Sequence, residues 1–415
     1  MNKKLLLYKA ILLLSFGAIT CFVNAQYLRP FSNLATTGSQ SWPMGMVTDA
    51  AGNLYVSNYS TGSISKITRA GVVSGFATVG GHLEKMVMDN AGNIYAVSST
   101  GDFGSTVNIV TPAGASSILA NIPGGGGSNT GYIGIAINKS TGNIYTTDNT
   151  GNTVSQITPL GYRTSFVVGA KPMGIALDAA GNIYTANWGS NTVSKLSPTG
   201  ALLATYPVGP NPWGIVINPT SGNIYVSNAG PYDAGASPSP NGTVSKITST
   251  GIVTTTWATV QNAAAEMAID ASGNVYVVNT YSGTVSEITP AGAVTHVNLP
   301  VVSPIVQNEL YPATILISSG HAYVSVQGTD MIAVTDLTIL PVTLSSFTAV
   351  AQQSGASLRW TTASEQHNNH FDIERSTNGI NWSAISTVTS KAADGNSNLP
   401  LSYTYNDIKP VPGTN

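Results

Sequence analysis

The sequence predicts an all-β repeat protein, on three observations. A tyrosine stands at the centre of a short apolar run seven times, at Tyr55, Tyr95, Tyr145, Tyr184, Tyr225, Tyr276 and Tyr323, at intervals of 39 to 51 residues. A Gly-Asn pair precedes six of these runs, from Gly52-Asn53 to Gly273-Asn274, and both residue types accept the positive φ of a tight hairpin turn. The runs are short and rich in Val, Ile, Thr and Tyr, without the three-and-four apolar spacing of a helix. A period of about 40–50 residues with several short strands per unit is the signature of a β-propeller.

Each unit reads as four strands. In the unit from Gly174, an apolar run to Leu177 is followed by Gly181-Asn182, a run around Tyr184, a polar turn, and Thr192-Val193-Ser194-Lys195-Leu196. A glycine then opens a fourth β-rich run, which carries an aromatic at Phe76, Phe166, Tyr206 and Trp257 in four of the units. The seventh unit, Thr314 to Asp336, has no fourth run of its own, whereas Arg29-Pro30-Phe31-Ser32-Asn33-Leu34 matches the fourth run at Ser74 to Val79. The expectation is a seven-bladed propeller over residues 26–340, its last blade completed by the N-terminal strand. Such closure hides the strand edges. Beyond residue 340 the repeat stops. Residues 341–415 alternate as strands around Trp360 and read as a partial, incomplete, fibronectin-like β-sandwich.

Residues 1–25 read as a signal peptide: Lys3, Lys4 and Lys9, an apolar core from Ala10 to Ala18, and Val23-Asn24-Ala25 before Gln26. The expected location is secreted, extracellular or cell-surface. The single cysteine, Cys21, lies in this segment, so a mature chain has no thiol chemistry. Removing the three lysines takes the formal charge from −2 to −5. Charged residues make up 8% of the chain, against about 25% in ordinary domains. This excludes the basic footprint of a nucleic-acid binder. No segment after the signal is apolar enough to span a bilayer, and a monomer is expected.

The repeats resemble NHL-type propellers and, more closely, the streptogramin (virginiamycin B) lyase group. The residues that carry this are Pro172-Met173-Gly174-Ile175 with Asp178, Pro212-Trp213-Gly214-Ile215 with Asn218, and Thr243-Val244-Ser245-Lys246-Ile247. The resemblance implies a seven-bladed ring and, in that family, a histidine base, acidic residues and magnesium at the central cavity. No position of this chain matches that catalytic motif. The tail is similar to a sandwich module of secreted Bacteroidetes proteins, through Leu340-Pro341-Val342-Thr343-Leu344, Trp360-Thr361-Thr362-Ala363-Ser364-Glu365 and Phe371-Asp372-Ile373-Glu374-Arg375-Ser376. That resemblance implies type IX secretion.

Candidate site residues are those that break the repeat. Four insertions, Thr100 to Ser105, Pro123 to Thr130, Gly230 to Asn241 and Leu299 to Leu310, fall in loops of one face. Variable loops on a rigid scaffold are where binding concentrates. Trp42, Tyr132, Trp188, Trp213 and Tyr281 are expected on that face as anchors for a glycan or an extracellular protein. Charged candidates near the channel mouth are His82, Glu84, Lys85, Lys171 and Glu266. Glu266 and Lys85 replace the glycine found at Gly45, Gly134, Gly174 and Gly214. No cofactor is expected on the binding reading. The alternative is a metal-assisted lyase or lactonase-like enzyme, with Glu84 and Glu266 holding Mg or Ca and His82 doing acid–base work. Asp49, Asp89, Asp178 and Asp270 read as turn formers on the opposite face.

Overall fold

In the computed structural model the described residues are 29–34, 41–99, 104–122, 134–230, 241–299, 310–336, 343–352, 355–365, 370–376, 382–392, 397 and 399–408. The signal segment, Cys21, Tyr132 and most of the four inserted loops lie outside them. The chain divides into two compact units, one spanning Tyr27–Thr335 and one holding the chain from Asp336 onward.

The larger unit contains seven four-stranded antiparallel sheets among the described residues. We number them by their inner strands: Pro43–Thr48, His82–Met88, Ile135–Ile137, Pro172–Leu177, Pro212–Ile217, Ala264–Ile269 and Pro312–Ser318. Each inner strand packs against the next, and that of the seventh sheet packs against that of the first. This is the all-β, propeller-like arrangement that the repeat predicts. The seventh sheet supplies Pro312–Ser318, His321–Val326 and Met331–Asp336 from its own repeat. Its outermost strand is Arg29–Asn33, antiparallel to Met331–Asp336 with Arg29 opposite Val334. The N-terminal strand therefore closes the sheet that the seventh repeat leaves open.

The fourth sheet shows why the repeat folds this way. Between Pro172–Leu177 and Ile183–Asn187 the chain turns at Asp178. Its Oδ1 accepts from the backbone N–H groups of Ala180 and Asn182, and its Oδ2 from Asn182 Nδ2 and the Tyr184 hydroxyl. The asparagine and tyrosine contacts recur at Asp49, Asp89 and Asp270. These carboxylates satisfy the turn backbone and cap a buried tyrosine, the role expected of them. At the other end, Asn187 Nδ2 donates to Thr192 Oγ1 and Ser194 Oγ and ties the second strand to the third. Ile183, Val193 and Leu196 are fully buried between sheets, each stabilising by roughly 1.5–3 kcal/mol on burial. The fourth-strand aromatics pack forward as well. A Cβ on Gly200, which sits at φ +87°, would land on the Phe166 ring of the preceding sheet.

Hydroxyls fasten alternate sheets. The Ser57, Thr147 and Ser227 side chains each accept from the inner-strand glycine of their own sheet (Gly45, Gly134, Gly214). Each donates to the backbone carbonyl of the next sheet at Glu84, Met173 or Ala265. Ser325 of the seventh sheet does the same toward Met44 O of the first, 3.5 Å away. The equivalent positions in the second, fourth and sixth sheets are Val97, Ala186 and Val278.

The smaller unit has a three-stranded sheet, Thr343–Gln352, Gly355–Ser364 and Leu401–Asp407, and a two-stranded sheet, His370–Ser376 and Trp382–Thr389. Its core is Trp360, Phe371, Ile373 and Tyr403, with the three aromatic rings in mutual contact at 4.7–5.4 Å. Buried Glu365 accepts from the hydroxyls of Thr362, Ser390 and Tyr403. Among the described residues no helix is long and apolar enough to cross a membrane.

Candidate functional site

Among the described residues every inner strand but the third begins with a β-bulge. In the second sheet Glu84 and Lys85 lie between the pairs Leu83–Ser98 and Met86–Ala96. In the sixth, Ala265 and Glu266 lie between Ala264–Asn279 and Met267–Val277. A bulge re-aims the side chain at its second residue, and here that residue lines the central channel. Its cavity is about 150 Å³, lined by residues of all seven inner strands or the residue just before them, including Gly45, Lys85, Gly134, Gly174, Ile215, Glu266 and Thr314. Glycine serves most of the ring because strands crowd there. A Cβ on Gly45 would lie 2.7 Å from Glu84 O.

The two charged replacements meet. Lys85 Nζ donates to Glu266 Oε1 in an ion pair across the channel, both side chains 17% exposed. The residues are 181 positions apart. Sequence spacing places each in an equivalent slot but says nothing of their meeting.

Two other charged candidates, one exposed and one buried, both neighbour Tyr59. His82 is exposed, its ring stacked on Tyr59. Glu84 is buried. Burial, with the Glu84 charge adding to it, holds the Tyr59 phenol above its usual range. The structure thus brings Glu266 to Lys85 in the channel and His82 to Tyr59 on the face. Among the described residues no group of three or more His, Cys, Asp or Glu side chains is placed to hold a metal ion.

The channel face is built on a second repeated device. In five sheets the residue three positions before the channel-lining slot has positive φ: Trp42 (50°), Lys171 (50°), Asn211 (55°), Ala263 (58°) and Tyr311 (46°). Its carbonyl accepts from the N–H just past the second strand: Tyr59, Trp188, Ala229, Thr280 and Gln327, at 2.9–3.2 Å. Each of these sheets thus presents two side chains from neighbouring backbone positions on one face. Trp42 and Tyr59 stack with ring centroids 6.2 Å apart and planes 22° apart. Tyr59 and His82 stack at 4.6 Å and 19°. Asp330 of the seventh sheet anchors the stack through Oδ1, which accepts from Ser41 N (3.0 Å) and Trp42 N (2.9 Å). Tyr281 and Tyr311 meet edge to face at 6.3 Å. In the fourth sheet Lys171 Nζ lies 5.1 Å from the centre of the half-buried Trp188 ring.

Of the five expected anchors, Trp42 and Tyr281 are exposed at 44% and 49%, Trp188 and Trp213 are half-buried, and Tyr132 is not among the described residues. The Trp213 carbonyl packs against Gly174, so that residue also serves sheet-to-sheet contact. Tyr59, Lys171, Tyr311 and Asp330 complete the face; Lys171 is among the charged candidates of the sequence, and the other three are not singled out by it. Tyr311 carries a readable signal, since it precedes Pro312 as Trp42 precedes Pro43. Tyr59 carries none, because its slot holds Trp, Ala, Thr and Gln in other repeats.

No protein-family model matches the chain, and no curated protein is similar to it in sequence. Solved structures are similar in fold. A streptogramin B lyase structure aligns with TM-score 0.60 at 16% identity, over 75% of this chain and 97% of that one. A catalytically inactive virginiamycin B lyase from Staphylococcus aureus with quinupristin aligns with TM-score 0.61 at 14% identity, over 75% and 99%. The hydrazine synthase of Kuenenia stuttgartiensis aligns with TM-score 0.57 at 15% identity, over 73% and 98%. On fold, and on fold alone, this chain is similar to streptogramin B lyase-like propeller proteins.

Proposed function

We propose that this chain is a secreted or cell-surface seven-bladed propeller that binds a glycan or an extracellular protein, without catalysis, through its aromatic-bearing face. The tail, read as a partial β-sandwich, serves as a spacer. The observation that carries the reading is the placement of Trp42 and Tyr311. A positive φ costs a bulky side chain roughly 1–2 kcal/mol relative to glycine. Both side chains are substantially exposed, at 44% and 39%, so burial offsets little of that cost. Strained, exposed aromatics on a rigid frame are a feature of binding sites.

A glycan and protein binding screen on the secreted chain tests this. At least one ligand class is expected to bind with a dissociation constant that rises when Trp42 is replaced. A screen without any ligand overturns the reading. The same preparation is expected to begin at Gln26 by mass. Saturating magnesium or calcium is expected to leave its melting temperature unchanged. A rise of several degrees would instead favour the metal-dependent reading through Glu84 and Glu266.

A further inference from the structure

We infer that the ligand is a neutral polysaccharide chain, seated along an arc of aromatic rings that runs from Tyr281 through Tyr311, Trp42 and Tyr59 to His82. This rests on the binding role proposed above and names its ligand class and its place on the face. The arc crosses the sixth, seventh, first and second sheets, whose inner strands are neighbours in that order. It therefore straddles the point where the ring closes.

The arc is held from below by backbone. Tyr59 N donates to Trp42 O, Ser60 N to Ser41 O, Gln327 N to Tyr311 O and Gly328 N to Leu310 O. Asp330, three residues beyond Gln327, takes the N–H groups of Ser41 and Trp42. One short loop of the seventh sheet thus fixes both Tyr311 and Trp42. Rings placed by backbone hydrogen bonds lose little freedom when a ligand docks, which favours binding.

Three properties select a neutral sugar chain. Trp42, Tyr59 and His82 are stacked on one another, while Tyr281, Tyr311 and Trp42 remain 49%, 39% and 44% exposed, so an apolar face can pack against the ring surfaces that the stack leaves open. The carboxylates beside them are withdrawn, with Glu84 1% and Asp330 6% exposed, so the arc offers little charge to recognise an ionic ligand. Hydroxyl residues adjoin the rings in the chain, with exposed Ser60 and Thr61 following Tyr59, and half-buried Ser282 following Tyr281. A pyranose presents an apolar C–H face and a rim of hydroxyls and matches that combination. A proline-rich peptide would use the rings without the hydroxyls.

The test uses the full secreted chain with cellohexaose, xylohexaose and mannohexaose as probes, titrated by intrinsic tryptophan fluorescence and by calorimetry. At least one hexasaccharide is expected to bind and to perturb the emission. Trp42→Asn adopts the residue that the same slot carries at Asn211. It is expected to melt no lower than the parent and to weaken binding at least about tenfold. Tyr59→Ala and Tyr311→Ala are expected to weaken it similarly, and Tyr162→Ala, an exposed ring in the turn between outer strands, to leave it within twofold. Saccharide binding that survives Trp42→Asn with Tyr59→Ala but is lost on Trp188→Ala would overturn the arc while leaving the binding function intact. Binding of a proline-rich peptide with none of the saccharides would overturn the ligand class. Binding of nothing from either set, with a blank protein screen, would remove the binding function itself.

Discussion

Replacing Glu266 by glutamine tests whether the channel ion pair holds the ring together. Unit charges in contact at about 3 Å, with an effective dielectric near 20, attract by roughly 5 kcal/mol. Desolvation offsets most of that, since each side chain is only 17% exposed. Breaking a fully buried pair costs about 3–5 kcal/mol, while exposed pairs are worth about 0–1 kcal/mol. A channel that still admits water lies between. Glu266→Gln and Lys85→Met are each expected to cost about 2–3 kcal/mol, because each leaves the other charge partly desolvated without its partner. The double variant is expected to cost less than the sum of the two singles, with a coupling energy of about 1–2 kcal/mol. The assay is urea denaturation of all four proteins, repeated near 1 M salt, where the Debye length is roughly 3 Å. Coupling is expected to persist there, since a partly buried pair is weakly screened. Additive single effects, or coupling abolished by salt, would refute the reasoning and return both residues to the status of solvated surface charges.

Three further outcomes are expected. Burial, reduced in part by the Tyr276 hydroxyl donating to it, raises the Glu287 carboxyl above its ordinary value. Because the folded state then holds that proton to higher pH than the unfolded one, stability falls as pH rises from about 4.5 through the folded pKa. Glu287→Gln copies the equivalent Gln156, which donates to Tyr145 OH at 2.9 Å. It should therefore match the parent near pH 4 and melt higher at pH 7; a lower melting point at pH 7 would contradict this. Gly200→Ala combines a positive φ with a clash on Phe166 and should cost about 2–4 kcal/mol in denaturant unfolding. Ser227→Ala strands Gly214 N and Ala265 O and should cost about 2–3 kcal/mol, whereas Ser227→Thr should restore most of it.

Much of the fold is legible along the chain because its causes are local. Asp178, Asn182 and Tyr184 close their turn within seven residues, so the motif and the turn are the same object. The missing fourth run of the seventh unit and the spare run at Arg29–Asn33 are both visible as text, and their pairing follows because an open strand edge needs a partner. The hydroxyl fasteners are harder to see. Ser57, Thr147, Ser227 and Ser325 look like ordinary strand polar residues until the next sheet's carbonyl is brought against them.

The sequence by itself determined the repeat, its four strands and the slots that depart from the pattern, because period, turn chemistry and burial pattern are carried by residues near one another in the chain. Only the tertiary structure decided which departures meet. Lys85 and Glu266 pair because ring formation points non-adjacent inner strands into one channel. His82 stacks on Tyr59 while Glu266 pairs with Lys85, because the start of the second inner strand lies beside the end of the first sheet's second strand. Those contacts depend on the angle between sheets and the closure of the ring, and neither quantity is written in the spacing of any one repeat.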